Sequence, residues 1–203
     1  MATLLSSIYF FFVLMKIIIY NSIGGNIMRY KKFYPNSYVK DIYDIDYRSL
    51  KRKGIKCLIF DLDNTIALID QKLVSDKTVQ LFSKLEKDFQ LVIISNNTKD
   101  RVSEYARILH CDYVSFALKP LLHGFRKIKK KYHFQNSEMC MIGDQLVTDI
   151  FGGNRFSNFT ILVDPMGKKD LKITSLNRLI EKNILKYYKK NKIMKKGEYY
   201  HGK

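Results

Sequence analysis

The chain has 203 residues, of which 46% are hydrophobic and 27% charged, and its formal net charge is +17. That hydrophobic share excludes a disordered chain, and the length suits one domain with a sizeable core. The positive charge points to an anionic partner: nucleic acid, an anionic membrane or a highly charged substrate. Cys57, Cys111 and Cys140 form no CxxC pair and have no histidine at zinc spacing. They read as small core residues in a reducing compartment.

Residues 4–20 are strongly apolar but include Ser6, Ser7 and Lys16. They fall short of the ~20 apolar residues of a spanning helix and lack the basic flank and cleavage site of a signal peptide. Residues 1–27 therefore stand apart as a weak anchor at best. Gly24-Gly25 precedes Met28 by two residues. Gly-Gly can be encoded as GGAGG, the core of a bacterial ribosome-binding site, so translation is expected to start at Met28. One domain is expected over 28–181. Residues 182–203 carry eight lysines and one acid, Glu198, with tyrosines interleaved. They are expected to form a solvated basic tail or a docking element for acidic surfaces.

From about residue 55, short apolar runs alternate with helical periodicity. Strands are expected at 57–60, 91–94, 113–116, 139–142 and 160–163. Helical stripes follow in Val102, Tyr105, Ala106 and Leu109, in Leu121, Phe125, Ile128 and Tyr132, and in Leu176, Leu179, Ile180 and Ile184. This alternation predicts an α/β fold with a mainly parallel sheet flanked by helices. Ligands bind such sheets beyond the carboxyl ends of the strands.

Polar residues gather at those ends. Ile59-Phe60-Asp61-Leu62-Asp63-Asn64-Thr65 places two acids two residues apart after an apolar strand, on one side of the chain. Adjacent carboxylates repel unless a cation or a proton intervenes, and both conditions suit phosphoryl transfer. One carboxylate can attack phosphorus while the other exchanges protons with the leaving group and water. Two acids alone also describe a solvated loop. Ser95, within Ile94-Ser95-Asn96-Asn97, offers a hydroxyl and nearby amides to a phosphate, and Lys119, before Pro120, offers positive charge. Asp144, in Gly143-Asp144-Gln145, suits a hard Mg²⁺ ion. Asp149 can support the metal or Lys119, or merely sit in the first turn of a helix.

These segments, DLDNT at 61–65, ISNN at 94–97, Lys119-Pro120 and GDQLVTD at 143–149, resemble the four ordered motifs of the haloacid dehalogenase superfamily. The stretch 38–46, Gly54-Ile55-Lys56 and GGNRFSNFTILVDP at 152–165 are similar to the YqeG-type HAD-IIIA phosphatases. The likeness spans roughly residues 28–170. It implies a HAD-like, Rossmann-like fold and the following roles. Asp61 is the nucleophile and a Mg²⁺ ligand. Asp63 is the general acid and base and gives its main-chain carbonyl to the metal. Ser95 and Asn96 bind the phosphoryl group, and Lys119 neutralises charge on the phosphorylated intermediate. Asp144 completes the metal site, supported by Asp149, and Thr65 fixes the turn.

About 30 residues separate Thr65 from Ser95 and some 20 separate Ser95 from Lys119, which leaves no room for a sizeable cap domain. An open site suits a phosphate displayed on something large. The family is similar to mitochondrial phosphatidylglycerophosphate phosphatases, which implies an anionic phospholipid substrate and peripheral contact with an anionic membrane, at the inner face, by a cytoplasmic protein. A nucleic-acid end or small-molecule phosphatase is the second expectation. A ribosome- or RNA-associated binding protein that keeps the fold is the third, and the intact motifs count against it.

Overall fold

The computed structural model describes residues 30–167 and 174–201. The expectations for residues 1–27, including a start at Met28, lie outside the described residues. Six strands form one sheet: β1 (Ser37–Val39), β2 (Cys57–Phe60), β3 (Gln90–Ile94), β4 (Asp112–Val114), β5 (Met139–Gly143) and β6 (Phe159–Val163). Every pairing is parallel, and the order is β1-β6-β5-β2-β3-β4.

The central strands are apolar along their whole length because both faces are covered. Leu58, Phe60, Leu91, Ile93, Cys140 and Ile142 face one side. Cys57, Ile59, Val92, Ile94, Met139 and Met141 face the other, as a period of two requires. On the first side lie α1 (Tyr47–Arg52), α2 (Asp76–Leu85) and α3 (Lys99–Ile108), which contribute Leu50, Phe82, Val102 and Tyr105. On the second lies α4 (His123–Tyr132), through Phe125 and Ile128. Helix α2 begins where the Ser75 hydroxyl accepts the Thr78 N–H at 3.2 Å, with Asp76 in its first turn. Only α2 and β3 lie between Thr65 and Ser95, and only α3 and β4 between Ser95 and Lys119, so no cap interrupts the domain.

A third cluster joins the two ends of the described chain. Phe33 and Tyr38 pack with Val147, Phe151, Leu162, Ile184, Tyr188 and Met194. It is built on α5 (Phe151–Arg155) and α6 (Thr174–Lys190). Among the described residues, no helix is long and apolar enough to cross a membrane.

The structure corrects four expectations. Strand β4 spans 112–114 rather than 113–116, because Phe116 and Leu118 take left-handed φ values of 46° and 55°. The chain there folds across the end of β3, where Asn97 and Ser95 carbonyls accept the Phe116 and Ala117 N–H groups. Strand β1 joins the expected five; three residues are too few for a periodic signal. The buried face of α6 is Glu181, Ile184 and Tyr188, whereas Leu179 is 58% exposed. Finally, α6 runs unbroken past position 182, and Tyr188 and Met194 are core residues. Residues 182–201 are thus not a detached solvated tail, although every lysine among them is exposed.

Candidate active site

From β2 the chain builds outward through β3 and β4, then crosses to β5 and β6 on the other side. The order reverses between β2 and β5, and ligand sites form beyond the strand ends at such a point. Asp61 and Asp63 follow β2 and Asp144 follows β5, so the reversal itself brings these acids together. The Asp61 N–H donates to Ile142 O at 2.9 Å and ties the two strand ends.

Lys119 lies at the centre and is 2% exposed. Its ammonium is 2.7 Å from Asp61 Oδ1 and 2.7 Å from Asp149 Oδ1. Asn96 fixes the Lys119 main chain on both sides: its Oδ1 accepts the Lys119 N–H at 2.7 Å, and its Nδ2 donates to the Lys119 carbonyl at 3.1 Å. The buried Ser95 hydroxyl accepts the Asn97 N–H at 3.1 Å.

Asp149 is presented by a π-helical turn, Leu146–Ile150, in which all five residues are buried. Such turns often mark functional sites. Its other oxygen accepts the Gln145 N–H at 3.0 Å. Gly143 allows this approach, since a Cβ there would lie 2.3 Å from Asp149 Oδ2. The Thr65 hydroxyl donates to Asp144 Oδ1 at 3.4 Å. Carboxylate oxygens of Asp61, Asp144 and Asp149 lie within 4.8 Å of one another, a grouping able to hold a metal ion.

Two arginines and one amide side chain complete the arrangement. Arg101 donates through Nε to Asp63 Oδ1 at 2.9 Å, and Asn97 Nδ2 donates to Asp63 Oδ2 at 3.0 Å. Arg178, on α6, pairs with Asp144 Oδ2, donates to the Asp144 carbonyl at 3.2 Å and pairs with Glu181 at 3.0 Å. Sequence reasoning missed Arg101, Arg178 and Glu181. Arg178 is 34 residues from Asp144 and lies outside every segment that carried the resemblance. Asn97 lay inside a recognised segment but carried no expected role.

Burial pushes the Asp61 carboxyl well above the usual carboxylate range; Lys119 opposes the rise, while Asp149, Asp144 and Asp63 add to it. Burial likewise raises Asp144 to about 7 against the pull of Arg178. For Lys119, burial favours the neutral amine, but Asp149 and Asp61 outweigh it and the net shift is upward. Among the described residues, Asp61, Asp63, Asp144, Asp149 and Glu181 form their ion pairs with Lys119, Arg101 and Arg178. With all of them ionised, the cluster carries an excess of two negative charges. A hard divalent cation with oxygen ligands fits both that excess and the donor set.

Known proteins place this geometry. Residues 25–156 match the haloacid dehalogenase-like hydrolases, and the chain belongs to that family. It is a phosphatase of that family. It is 35% identical over 162 residues to the probable phosphatase YqeG of Bacillus subtilis strain 168, covering 79% of this chain and 94% of that protein. It is 28% identical over 149 residues to phosphatidylglycerophosphate phosphatase 1, chloroplastic/mitochondrial, of Arabidopsis thaliana, and over 145 residues to the chloroplastic enzyme of that name from Chlamydomonas reinhardtii. Those matches cover 67% and 65% of this chain, but only 42% and 53% of the two relatives.

Proposed function

We propose that Asp61 attacks the phosphorus of a phosphate monoester to form an aspartyl-phosphate. The single observation that carries this reading is the position of Asp61, buried at the sheet reversal between the Lys119 ammonium and the Asp144 carboxylate. As the Asp61–phosphorus bond forms, the ester oxygen leaves and takes a proton from Asp63. Asp63 then removes a proton from the water that attacks the aspartyl-phosphate, releasing phosphate and restoring Asp61. Arg101 and Asn97 fix the direction of the Asp63 side chain.

The Ser95 hydroxyl and the amides around Asn96 bind the phosphoryl oxygens. The Asn96 side chain is engaged with the Lys119 main chain, so its share falls to its backbone. Lys119 stabilises the charge that builds on phosphorus. Asp61, Asp144 and the Asp63 carbonyl would hold Mg²⁺, with Asp149 in support and Thr65 steadying Asp144. Bound there, the ion supplies Lewis-acid charge for the transferring phosphoryl group.

The substrate in this reading is phosphatidylglycerophosphate, hydrolysed on the way to phosphatidylglycerol. The names and similarity of the Arabidopsis and Chlamydomonas relatives support it. The exposed lysines of residues 182–196 would keep the enzyme at an anionic membrane face. The test is a panel that compares this lipid in mixed micelles with 5′-phosphorylated DNA ends and sugar phosphates. Preference for DNA ends would move the enzyme to nucleic-acid repair chemistry. No turnover of any monoester would remove the phosphatase mechanism itself.

A further inference from the structure

A cleft of about 420 Å³ opens beside Asp144. One wall is the end of β6 and residues 164–167; the other is α6 and the segment around Met194 and Lys196. Its volume lies in the range of small-ligand sites. Asp144 is among the lining residues, and a carboxylate oxygen on it lies within 4.8 Å of one on Asp61. The cleft therefore shares Asp144 with the acidic cluster.

The lining combines an aliphatic floor with charge. Leu146, Leu162 and Met194 are nearly buried and form apolar surface. Each carboxylate in the lining already has partners. Asp144 is held by Arg178, and Glu181 by Arg178 and the Val147 N–H. Asp164 accepts from the Tyr38 and Tyr199 hydroxyls at 2.5 and 2.7 Å. Lys182 and Lys196 are exposed, and neither has an acidic partner among the described residues. The cleft thus combines two exposed lysines that have no acidic partner among the described residues with an apolar floor, beside the acidic cluster.

We infer that this cleft receives the alcohol side of the substrate and that Lys182 and Lys196 bind a second anionic group on it, the phosphodiester of a glycerophospholipid headgroup. The inference rests on the phosphatase reading above and adds the residues that select the substrate. A phosphodiester keeps its negative charge throughout the physiological pH range, which suits recognition by two lysine side chains. The aliphatic floor suits a glycerol backbone. A single-stranded nucleic acid is better served by aromatic side chains for base stacking. The one aromatic lining residue, Tyr38, is buried with its hydroxyl on Asp164.

The test separates this site from the chemistry by using the product. Dihexanoyl-phosphatidylglycerol carries the phosphodiester but no monoester, so its binding to the full chain needs no turnover. Calorimetry with wild type, Lys182→Glu, Lys196→Glu and the double variant should show at least ~10-fold weaker binding in the double variant. Lys182→Gln and Lys196→Gln should give smaller losses of the same sign. Hydrolysis of phenyl phosphate, whose leaving group is neutral, should be unchanged in all of them. Equal product affinity in wild type and the double variant would overturn the site. So would an oligothymidylate that binds more tightly than the lipid with the same lysine dependence. A protein that binds the product as described yet hydrolyses no monoester keeps the site and loses the catalytic reading.

Discussion

Arg178 grips Asp144 twice, through the carboxylate and through the main-chain carbonyl, and it does so from a helix that lies beyond the part of the chain matched by the family. Glu181, one turn on, holds the guanidinium from behind. Outer partners of this kind orient metal ligands. Arg178→Ala should therefore weaken Mg²⁺ binding by ~10–100-fold, and Arg178→Lys should restore part of it. Calorimetric titration of the metal checks this without reference to turnover. Unchanged affinity would leave Arg178 a structural residue only.

Asp61→Asn should lower turnover of any monoester by ~10³-fold or more, and Asp63→Asn nearly as far, because members of one catalytic unit fail together rather than additively. Beryllofluoride with Mg²⁺ should inhibit the wild type as a mimic of the acyl phosphate. Wild-type turnover by purified Asp61→Asn would show that another residue attacks.

Gly143 leaves no room for a side chain. An alanine Cβ would lie 2.3 Å from Asp149 Oδ2 and 2.4 Å from its Cγ, so Asp149 must move and Lys119 with it. Gly143→Ala should cost about 1–3 kcal/mol of stability and most of the activity. Urea unfolding together with phenyl phosphate hydrolysis measures both. A variant equal to wild type in both would mean that the turn relaxes freely.

The core sets an alkaline limit. Burial pushes the Cys57 thiol up to about 12, with the Asp112 charge adding to the shift. Burial raises the Cys140 thiol well above its usual range and the Tyr188 and Tyr200 phenols in the same direction. In the unfolded chain, thiols ionise near ~8.5 and phenols near ~10. The folded state then retains protons that the unfolded state has lost. Stability from these groups is full below pH ~8.5 and is lost as pH rises toward about 12. The urea midpoint should fall steadily from pH ~8.5 to ~10.5, and tyrosinate absorbance should show a class that ionises only on unfolding. A flat midpoint over that window would contradict the burial argument.

Lys186, Lys189 and Lys190 lie on the exposed side of α6, whose opposite face carries Ile184 and Tyr188 into the core. Replacing the three by Glu should weaken binding to anionic vesicles, at ~1 kcal/mol per lysine removed. Hydrolysis of a soluble ester should stay intact. Vesicle binding by the wild type should also fall with salt, since exposed charges are screened over ~8 Å at physiological ionic strength. Equal vesicle binding by the variant would remove these lysines from the membrane contact.

Much of this could be read from residue order because local signals carried it. The apolar strands at 57–60 and 139–142 and the helical stripe ending at Leu109 have clear periodicity; Asp61, Ser95 and Asp144 directly follow a β-strand, and Lys119 lies in the loop beyond β4. What escaped depends on contacts between distant segments. Arg178 reaches Asp144 across 34 residues and Arg101 reaches Asp63 across 38. No spacing rule links either pair. Leu179 looked like a core residue because helical spacing fixes a stripe but not its rotation. The Arg178 and Glu181 contacts instead turn the 181–184–188 face inward.

Tyr200 closes the sheet. It exchanges two main-chain hydrogen bonds with Tyr38, at 2.9 and 2.8 Å, as an isolated antiparallel bridge on the outer side of β1. During synthesis, β1 is the first of these strands to leave the ribosome, and among the described residues its outer edge pairs only with Tyr200. Its inner neighbour β6 is itself more than a hundred residues away in the nascent chain. Until Tyr200 arrives, that edge lacks the main-chain partner it has in the folded protein, and an exposed edge is the kind of surface that nucleates aggregation. Holding Ser37–Val39 to three residues, with Pro35 just before it, keeps that hazard small until the closing pair forms.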